Sequence, residues 1–221
     1  ISGEHFVVHG SNALAAAIDK KVKVYSETSD KNSVLSRIDN QVFHTNMKPT
    51  NPVCVVRDKT LEYLNKKDKI KITIESDIPR GSGLGSSSAV SVATAASIAS
   101  LFGETLDNKT LYEIALKGEK IIHGTPSGID VAASVYGGLI LFNKNTVPKN
   151  IDLLNKLKII VSLSGKKRQT SRMINRFTNM SDTLPYNFQS LINSSSILTQ
   201  EAVDCLIAQD LHKLGAIVNF Y

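Results

Sequence analysis

The chain has 221 residues, of which 42% are hydrophobic and 21% charged, so it can bury a core as one large domain or two small ones. The net charge of +6 is spread along the chain and aromatic residues make up only 6%, which argues against nucleic acid as a partner. The sequence shows neither a signal segment nor a run of about 18 apolar residues. We therefore expect no membrane partner and a cytoplasmic location, with Cys54 and Cys205 as free thiols.

The predicted elements alternate between strands and helices. In chain order we predict a strand at 21–25, strands with a loop over 28–48, a helix at 53–64, a strand at 70–74, helices at 87–102 and 110–122, strands at 139–142 and 157–163, and helices at 170–177 and 186–208. Asn108 or Asp107 is expected to cap the helix at 110–122. A polar stretch with Pro148 predicts a boundary between domains 1–148 and 149–221. This pattern alone indicates a mixed α/β architecture.

A segment rich in glycine and serine lies between the strand at 70–74 and the next helix. It consists of Pro79, Arg80, Gly81, Ser82, Gly83, Leu84, Gly85, Ser86, Ser87 and Ser88. Glycines let the backbone turn tightly and bring its N–H groups close to a ligand. The serines are expected near a helix N-terminus, where unpaired N–H groups and the helix dipole favour an anion. The segment therefore predicts a phosphate cradle, and the alternative is a flexible turn with a serine N-cap.

This segment differs from two common phosphate-binding motifs. No lysine follows Gly85 as it would in a P-loop. The spacing of the three glycines also differs from that of the dinucleotide fingerprint. The serine hydroxyls are therefore expected to take over part of the lysine's work, including contact with the Mg²⁺ that bridges nucleotide phosphates.

The segment resembles the second motif of the GHMP kinases, a family that includes galactokinase, homoserine kinase, mevalonate kinase and phosphomevalonate kinase. Residues 2–10, SGEHFVVHG, resemble the first motif of the mevalonate kinases, and residues 123–130, HGTPSGID, resemble a later one. The three matches follow the family's order, which is more specific than any one match. The resemblance implies an α+β GHMP kinase fold, with a ribosomal-protein-S5-like N-terminal domain and a ferredoxin-like C-terminal domain.

The resemblance also implies roles for individual residues. The loop at 79–88 is expected to wrap the phosphates of ATP, and Ser87, or alternatively Ser86, to help hold Mg²⁺. Glu119 is expected to be a second Mg²⁺ ligand, although a glutamate on a helix is more often simply solvated. Asp130 is expected to face the reacting hydroxyl, either as a general base or as a group that orients and stabilises it.

On the substrate side, the resemblance implies contacts from His5, Arg168 and Thr170. A guanidinium suits a carboxylate through paired donors, and mevalonate carries a carboxylate. The basic run at 166–168 departs from the family pattern, so a solvated basic turn is the alternative.

The implied function is ATP-dependent phosphorylation of the primary hydroxyl of mevalonate, giving 5-phosphomevalonate in isoprenoid biosynthesis. One alternative is another GHMP kinase such as phosphomevalonate kinase, which the basic run would suit, and another is a non-catalytic metabolite-binding relative. A homodimer is left open. The family's lysine before the first motif and its glycine-rich third motif are absent from these 221 residues, so we expect the C-terminal domain to be incomplete.

Overall fold

A computed structural model describes residues 2–3, 6–38, 41–44, 48, 50–79, 81–155, 158–163 and 181–220. The strands are β1 (Ala13–Ala16), β2 (Val22–Thr28), β3 (Ser33–Ile38), β4 (Gln41–His44), β5 (Ile70–Ser76), β6 (Leu139–Phe142) and β7 (Lys149–Asn150). The helices are α1 (Pro52–Tyr63), α2 (Ser86–Leu101), α3 (Asn108–His123), α4 (Ile129–Tyr136), α5 (Pro185–Ala208) and α6 (Leu211–Phe220). A 3₁₀ turn covers Val7–His9.

The chain forms two compact units. One consists of residues 18–135, and the other joins residues 1–17 to residues 136–221. The mixture of helices and sheets confirms the predicted α+β class. The predicted domain boundary at 148 stays a prediction.

The unit of residues 18–135 contains a four-stranded sheet in the order β2-β5-β3-β4. Strand β5 is central, pairing antiparallel with β2 and parallel with β3. Its isoleucines at 70, 72 and 74 share one face of the strand because side chains alternate along it, and all three are buried. They form one apolar cluster with Val34 of β3, Val53 of α1 and Ile98 of α2. This cluster fixes the register of the strand that leads into the glycine-rich loop.

Three helices of this unit pack against one another, and their ends follow ordinary capping rules. Asn51 caps α1 by accepting a hydrogen bond from the Val53 amide at 2.9 Å. Asp107 caps α3 by accepting one from the Thr110 amide at 2.7 Å, which confirms one of the two predicted caps. The small buried residues Ala95 and Ala99 of α2 share a cluster with Val56 of α1 and Ile114 of α3.

The other unit contains a three-stranded sheet in the order β1-β6-β7 together with α5 and α6. Leu14, Leu139, Val203 and Leu206 form its main apolar cluster. Helix α5 confirms the helix predicted at 186–208. No helix in the described part of the chain is long and apolar enough to cross a lipid bilayer.

The strand predicted at 157–163 is wrong over the described residues 158–163, which have no regular structure. A strand is stabilised by pairing with a neighbour, and none of the described strands pairs with this segment. Its apolar side chains are instead exposed, and Ile160 retains 97% of its accessible surface. The helix predicted at 170–177 lies outside the described residues.

Candidate active site

The glycine-rich loop connects β5 to α2 through three left-handed backbone positions. Gly81, Gly83 and Gly85 have φ angles of +68°, +75° and +67°, which L-residues with a Cβ rarely adopt. No described atom lies within 4 Å of the place that a Cβ would take on Gly81 or Gly83. The loop backbone therefore borders open space, as a cradle for a bulky anion requires.

The start of α2 rules out the simpler interpretation of the loop as a turn with a serine N-cap. Gly85 is the N-cap residue, and no side-chain hydrogen bond caps this helix. Ser86 and Ser87 are half-buried, whereas Ser88 is 1% exposed and packs inside the protein. The first two serines lie in the first turn of α2, whose amides have no partner within the helix.

Ser82 adds a further polar atom to the loop. Its hydroxyl oxygen is shielded from solvent and makes no hydrogen bond with any described residue. A buried hydroxyl without a partner costs free energy, and a phosphate oxygen would satisfy it. Pro79 is half-buried, and Arg80 lies outside the described residues.

Asp130 lies against the end of this loop. It belongs to the first turn of α4 and is exposed. A Cβ placed on Gly85 would lie 3.4 Å from the Asp130 Cβ, 3.6 Å from its Cγ and 3.8 Å from its Oδ1. The fold therefore brings together two residues predicted to share a site, although the sequence separates them by much of the unit. The negative charge of Asp130 is favoured by its position at a helix N-terminus.

Glu119 is buried, with 5% of its surface accessible, so the interpretation as a solvated glutamate on a helix face is wrong. Its neighbour Gly118 explains how α3 approaches the other helices so closely. A Cβ on Gly118 would lie 2.7 Å from the Val56 Cγ2 of α1 and 3.0 Å from the Ser91 Oγ of α2. Ser91 is one helical turn beyond Ser87, so Gly118 packs on α2 about one turn from its serine end.

The substrate-side residues His5, Arg168 and Thr170 lie outside the described residues. The part of the first motif that is described is held by hydroxyl groups of α5. We call the buried or half-buried side chains that make these bonds the hydroxyl seam, and they are Ser2, Ser11, Ser195, Ser196 and Thr199.

The hydroxyl seam is continuous along α5. The Ser2 and Thr199 hydroxyls are 3.2 Å apart, and the Ser11 hydroxyl lies 3.1 Å from that of Ser195 and 2.9 Å from that of Ser196. The backbone of Asn12 joins the seam, because its amide donates to Ser196 at 3.1 Å and its carbonyl accepts from Thr199 at 3.3 Å. These bonds fix both ends of the segment that carries the first motif.

His9, within the same segment, packs its ring edge-on against Phe188 of α5, with the ring centroids 4.9 Å apart. Burial lowers the pKa of His9 below its usual 6.5, and the nearby positive charge of Lys144 lowers this pKa further. Lys144 also donates a hydrogen bond to the Val8 carbonyl at 2.7 Å. A neutral imidazole packed on an aromatic ring is typical of a structural histidine.

A shallow cavity of about 430 Å³ lies elsewhere in the same unit as the loop, near the start of β5. Its charged lining includes Arg57 and Glu62, which pair with Asp58 at 2.7 Å and with Lys59 at 2.6 Å. Because the loop joins the other end of β5, this cavity contains none of the predicted site residues. The candidate site is therefore the loop, where the residues predicted to bind phosphate lie.

Comparison with known proteins shows the family to which the chain belongs. The family model "GHMP kinases N terminal domain" matches residues 52–138, a range that includes the loop, Glu119 and Asp130. The mevalonate kinase of Aeropyrum pernix is 31% identical over 233 residues, which cover 99% of this chain and 71% of that protein. The chain belongs to the GHMP kinase family.

The chain also resembles two solved structures of kinases. The L. major mevalonate kinase, solved in complex with R-mevalonate, is 27% identical and superposes with a TM-score of 0.73, covering 98% of this chain and 69% of that one. The Streptococcus pneumoniae phosphomevalonate kinase, solved with phosphomevalonate and AMPPNP, superposes with a TM-score of 0.71 over 99% of this chain and 74% of that one. At 16% identity, the second likeness shows the fold alone. The GHMP kinase fold expected from the motifs is confirmed.

Sequence patterns did not reveal two packing residues beside the predicted site residues, namely Gly118 next to Glu119 and Tyr112 against Gly128. The available signal for Gly118 was a glycine inside a helical pattern. Glycine weakens a helix, so its presence there indicates close packing. No motif pointed to Tyr112, whose contact with Gly128 exists only in the folded chain.

Proposed function

We propose that this chain is an ATP-dependent mevalonate kinase, which transfers the γ-phosphoryl group of ATP to the primary hydroxyl of mevalonate and gives 5-phosphomevalonate for isoprenoid biosynthesis. The contact between Asp130 and Gly85 carries the proposal. An acceptor hydroxyl beside Asp130 is then close to a phosphate held by the loop. The cytoplasm supplies ATP, which supports the location expected from the sequence.

The loop would bind the phosphates mainly through its backbone. Its left-handed glycines border open space, and the first-turn amides of α2 point out of the helix end with its positive dipole. The hydroxyls of Ser82 and Ser86 supply further donors. This arrangement positions the phosphates and stabilises charge, which is most of what phosphoryl transfer requires of a protein.

The residues present fit a magnesium ion. Mg²⁺ prefers oxygen ligands and usually takes one or two carboxylates together with the phosphates of the nucleotide. The Ser87 hydroxyl and the buried Glu119 carboxylate are such ligands, and the described residues hold no cluster of three metal-binding side chains. When bound, Mg²⁺ would neutralise charge on the phosphates. We assign its protein ligands to Ser87 and Glu119.

Asp130 would act on the acceptor hydroxyl. Its carboxylate lies in the first turn of α4, where the helix dipole favours negative charge, and it can accept a hydrogen bond from the hydroxyl and fix its direction. The transition state is loose, so the hydroxyl proton is lost late, as the bond to phosphorus forms. Asp130 is then the nearest base for that proton.

On the substrate side, we propose that His5, Arg168 and Thr170 line the mevalonate pocket, with Arg168 binding the carboxylate. Replacing a planar guanidinium by a point charge loses paired hydrogen bonds. Arg168→Lys should therefore raise the KM for mevalonate roughly ten- to hundredfold, because one charge-assisted bond is worth about 1.5–3 kcal/mol. The KM for ATP should not change. Arg176→Lys is the matched control, and equal kinetics for the two variants would make the basic run a solvated turn.

A panel of acceptors tests the function. The purified complete gene product is assayed for ADP formation with mevalonate, phosphomevalonate, galactose and homoserine at saturating ATP and Mg²⁺. We expect the highest kcat/KM with mevalonate. A preference for phosphomevalonate, which the basic run at 166–168 would suit, would establish the alternative kinase. ATP binding without turnover of any acceptor would establish a non-catalytic relative.

A further inference from the structure

Gly128, two residues before Asp130, is packed against the side chain of Tyr112. Gly128 is buried and has a φ angle of +83°. The Tyr112 hydroxyl oxygen occupies the place that a Cβ on Gly128 would take, and the Tyr112 Cζ lies 3.2 Å from that place. The Leu116 Cδ1 lies 3.5 Å from it. A Cβ at this position would therefore require the Tyr112 side chain or the backbone of Gly128 to shift.

The contact falls at the start of α4. The Gly128 carbonyl accepts the first hydrogen bond of that helix from the Ala132 amide at 2.9 Å, and the Ser127 hydroxyl accepts one from the Ile129 amide at 3.4 Å. The position of Gly128 therefore sets where α4 begins and which way its first turn faces.

Apolar packing holds Tyr112 and α4 together. Val131, immediately after Asp130, is 1% exposed and lies in a cluster with Val92 and Ala115. Tyr112, Leu116 and Val135 pack against the same cluster. Tyr112 thus packs against the cluster that contains Val131, and its hydroxyl lies beside Gly128.

We propose that Tyr112 is a positioning residue for Asp130, and this inference rests on the proposed function. By filling the space beside Gly128, its side chain fixes the first turn of α4 and keeps the Asp130 carboxylate against Gly85. Tyr112 itself contacts neither phosphate nor acceptor in this account. A shift of about 1 Å in a reacting group can cost about 100-fold in rate, so this support affects chemistry more than binding.

The test is a rescue experiment with Gly128→Ala, Tyr112→Phe and the double variant. We expect Gly128→Ala to lower kcat about 100-fold with little change in the KM for ATP, because the added methyl group displaces the first turn of α4. In the double variant the hydroxyl is gone and only the Cζ remains close, so kcat should recover by roughly tenfold, the equivalent of about 1.4 kcal/mol. Gly137→Ala is the matched control, since Gly137 lies at the other end of α4 with a φ of +66° and no described atom within 4 Å of a Cβ.

A crystal structure of Gly128→Ala separates this inference from the proposed function. We expect Asp130 to move away from Gly85 by about 1 Å, whatever alcohol the enzyme phosphorylates. An unmoved Asp130, or a double variant no faster than Gly128→Ala, overturns the role of Tyr112. An inactive wild type with a displaced Asp130 in the variant would overturn the proposed function and keep the inference.

Discussion

The glycine-rich loop and the first-motif segment are held in place by different means. The loop and Asp130 are positioned by backbone geometry and close packing, at Gly85 and at Gly128. The first-motif segment is positioned by the hydroxyl seam, whose bonds join residues 184 and 197 positions apart in the sequence.

This difference predicts how each region responds to mutation. At Gly128, where a Cβ has no room, a single added methyl group should displace Asp130, the group that we propose acts on the hydroxyl, so the loss is mainly one of rate. A seam of several hydroxyl bonds loses about 1–3 kcal/mol when one buried partner is removed, so the loss is mainly one of stability. Substitutions around the loop and Asp130 should therefore lower kcat, whereas substitutions in the hydroxyl seam should lower the free energy of unfolding.

Asp130→Asn should produce the largest effect. The substitution keeps the size of the side chain but removes the charge that, as we propose, orients the hydroxyl and accepts its proton. We expect kcat to fall at least about 100-fold, with a smaller change in the KM for ATP. Steady-state kinetics at saturating substrates measure this directly. The exposed Asp19 provides the control Asp19→Asn, and near-normal turnover by Asp130→Asn would remove Asp130 from the chemistry.

Thr199→Val should act on stability instead. Thr199 is fully buried, and its hydroxyl serves both Ser2 and the Asn12 carbonyl. Removing it leaves buried polar groups without this partner, so we expect a loss of about 1–3 kcal/mol in the free energy of unfolding by urea. The KM for ATP should be unchanged. If the exposed control Thr105→Val lost as much stability, the hydroxyl seam would contribute nothing specific.

The smallest effect is the pH dependence contributed by His9. Because its folded pKa is lowered, the unfolded chain binds a proton more readily than the folded one. The contribution of His9 to stability is therefore fully present above the unfolded pKa of 6.5, and it is lost as the pH drops from there towards the folded pKa. His9→Gln should flatten the loss of stability between neutral and mildly acidic pH in urea unfolding. The exposed His212 gives the control His212→Gln, and identical pH profiles for wild type and His9→Gln would contradict this assignment.

The same contrast explains how much the sequence could predict. The loop, its strand and its helix are contiguous, and glycines and serines mark them, so motif and element were both predicted. Glu119 is buried beside Gly118, which packs on α1 and α2, and local patterns do not encode such contacts between helices. The hydroxyl seam was missed because serine and threonine on a helix give no signal of a distant partner. The strand expected at 157–163 is absent over the described residues 158–163, because a sequence pattern specifies which face is apolar and not the neighbour that must cover it.

The most direct test of phosphate binding by the glycine-rich loop compares Gly83→Val with Gly103→Val. Both glycines have a φ of +75°, both lack described atoms within 4 Å of a Cβ, and they lie at opposite ends of α2. Each substitution should therefore cost a similar amount in folding, about 1–2 kcal/mol. Gly85 is less suitable because its Cβ would also contact Asp130. Calorimetric titration with Mg²⁺-ATP should show no binding by folded Gly83→Val and wild-type affinity for Gly103→Val. Equal ATP affinity in the two variants would contradict the assignment of the loop.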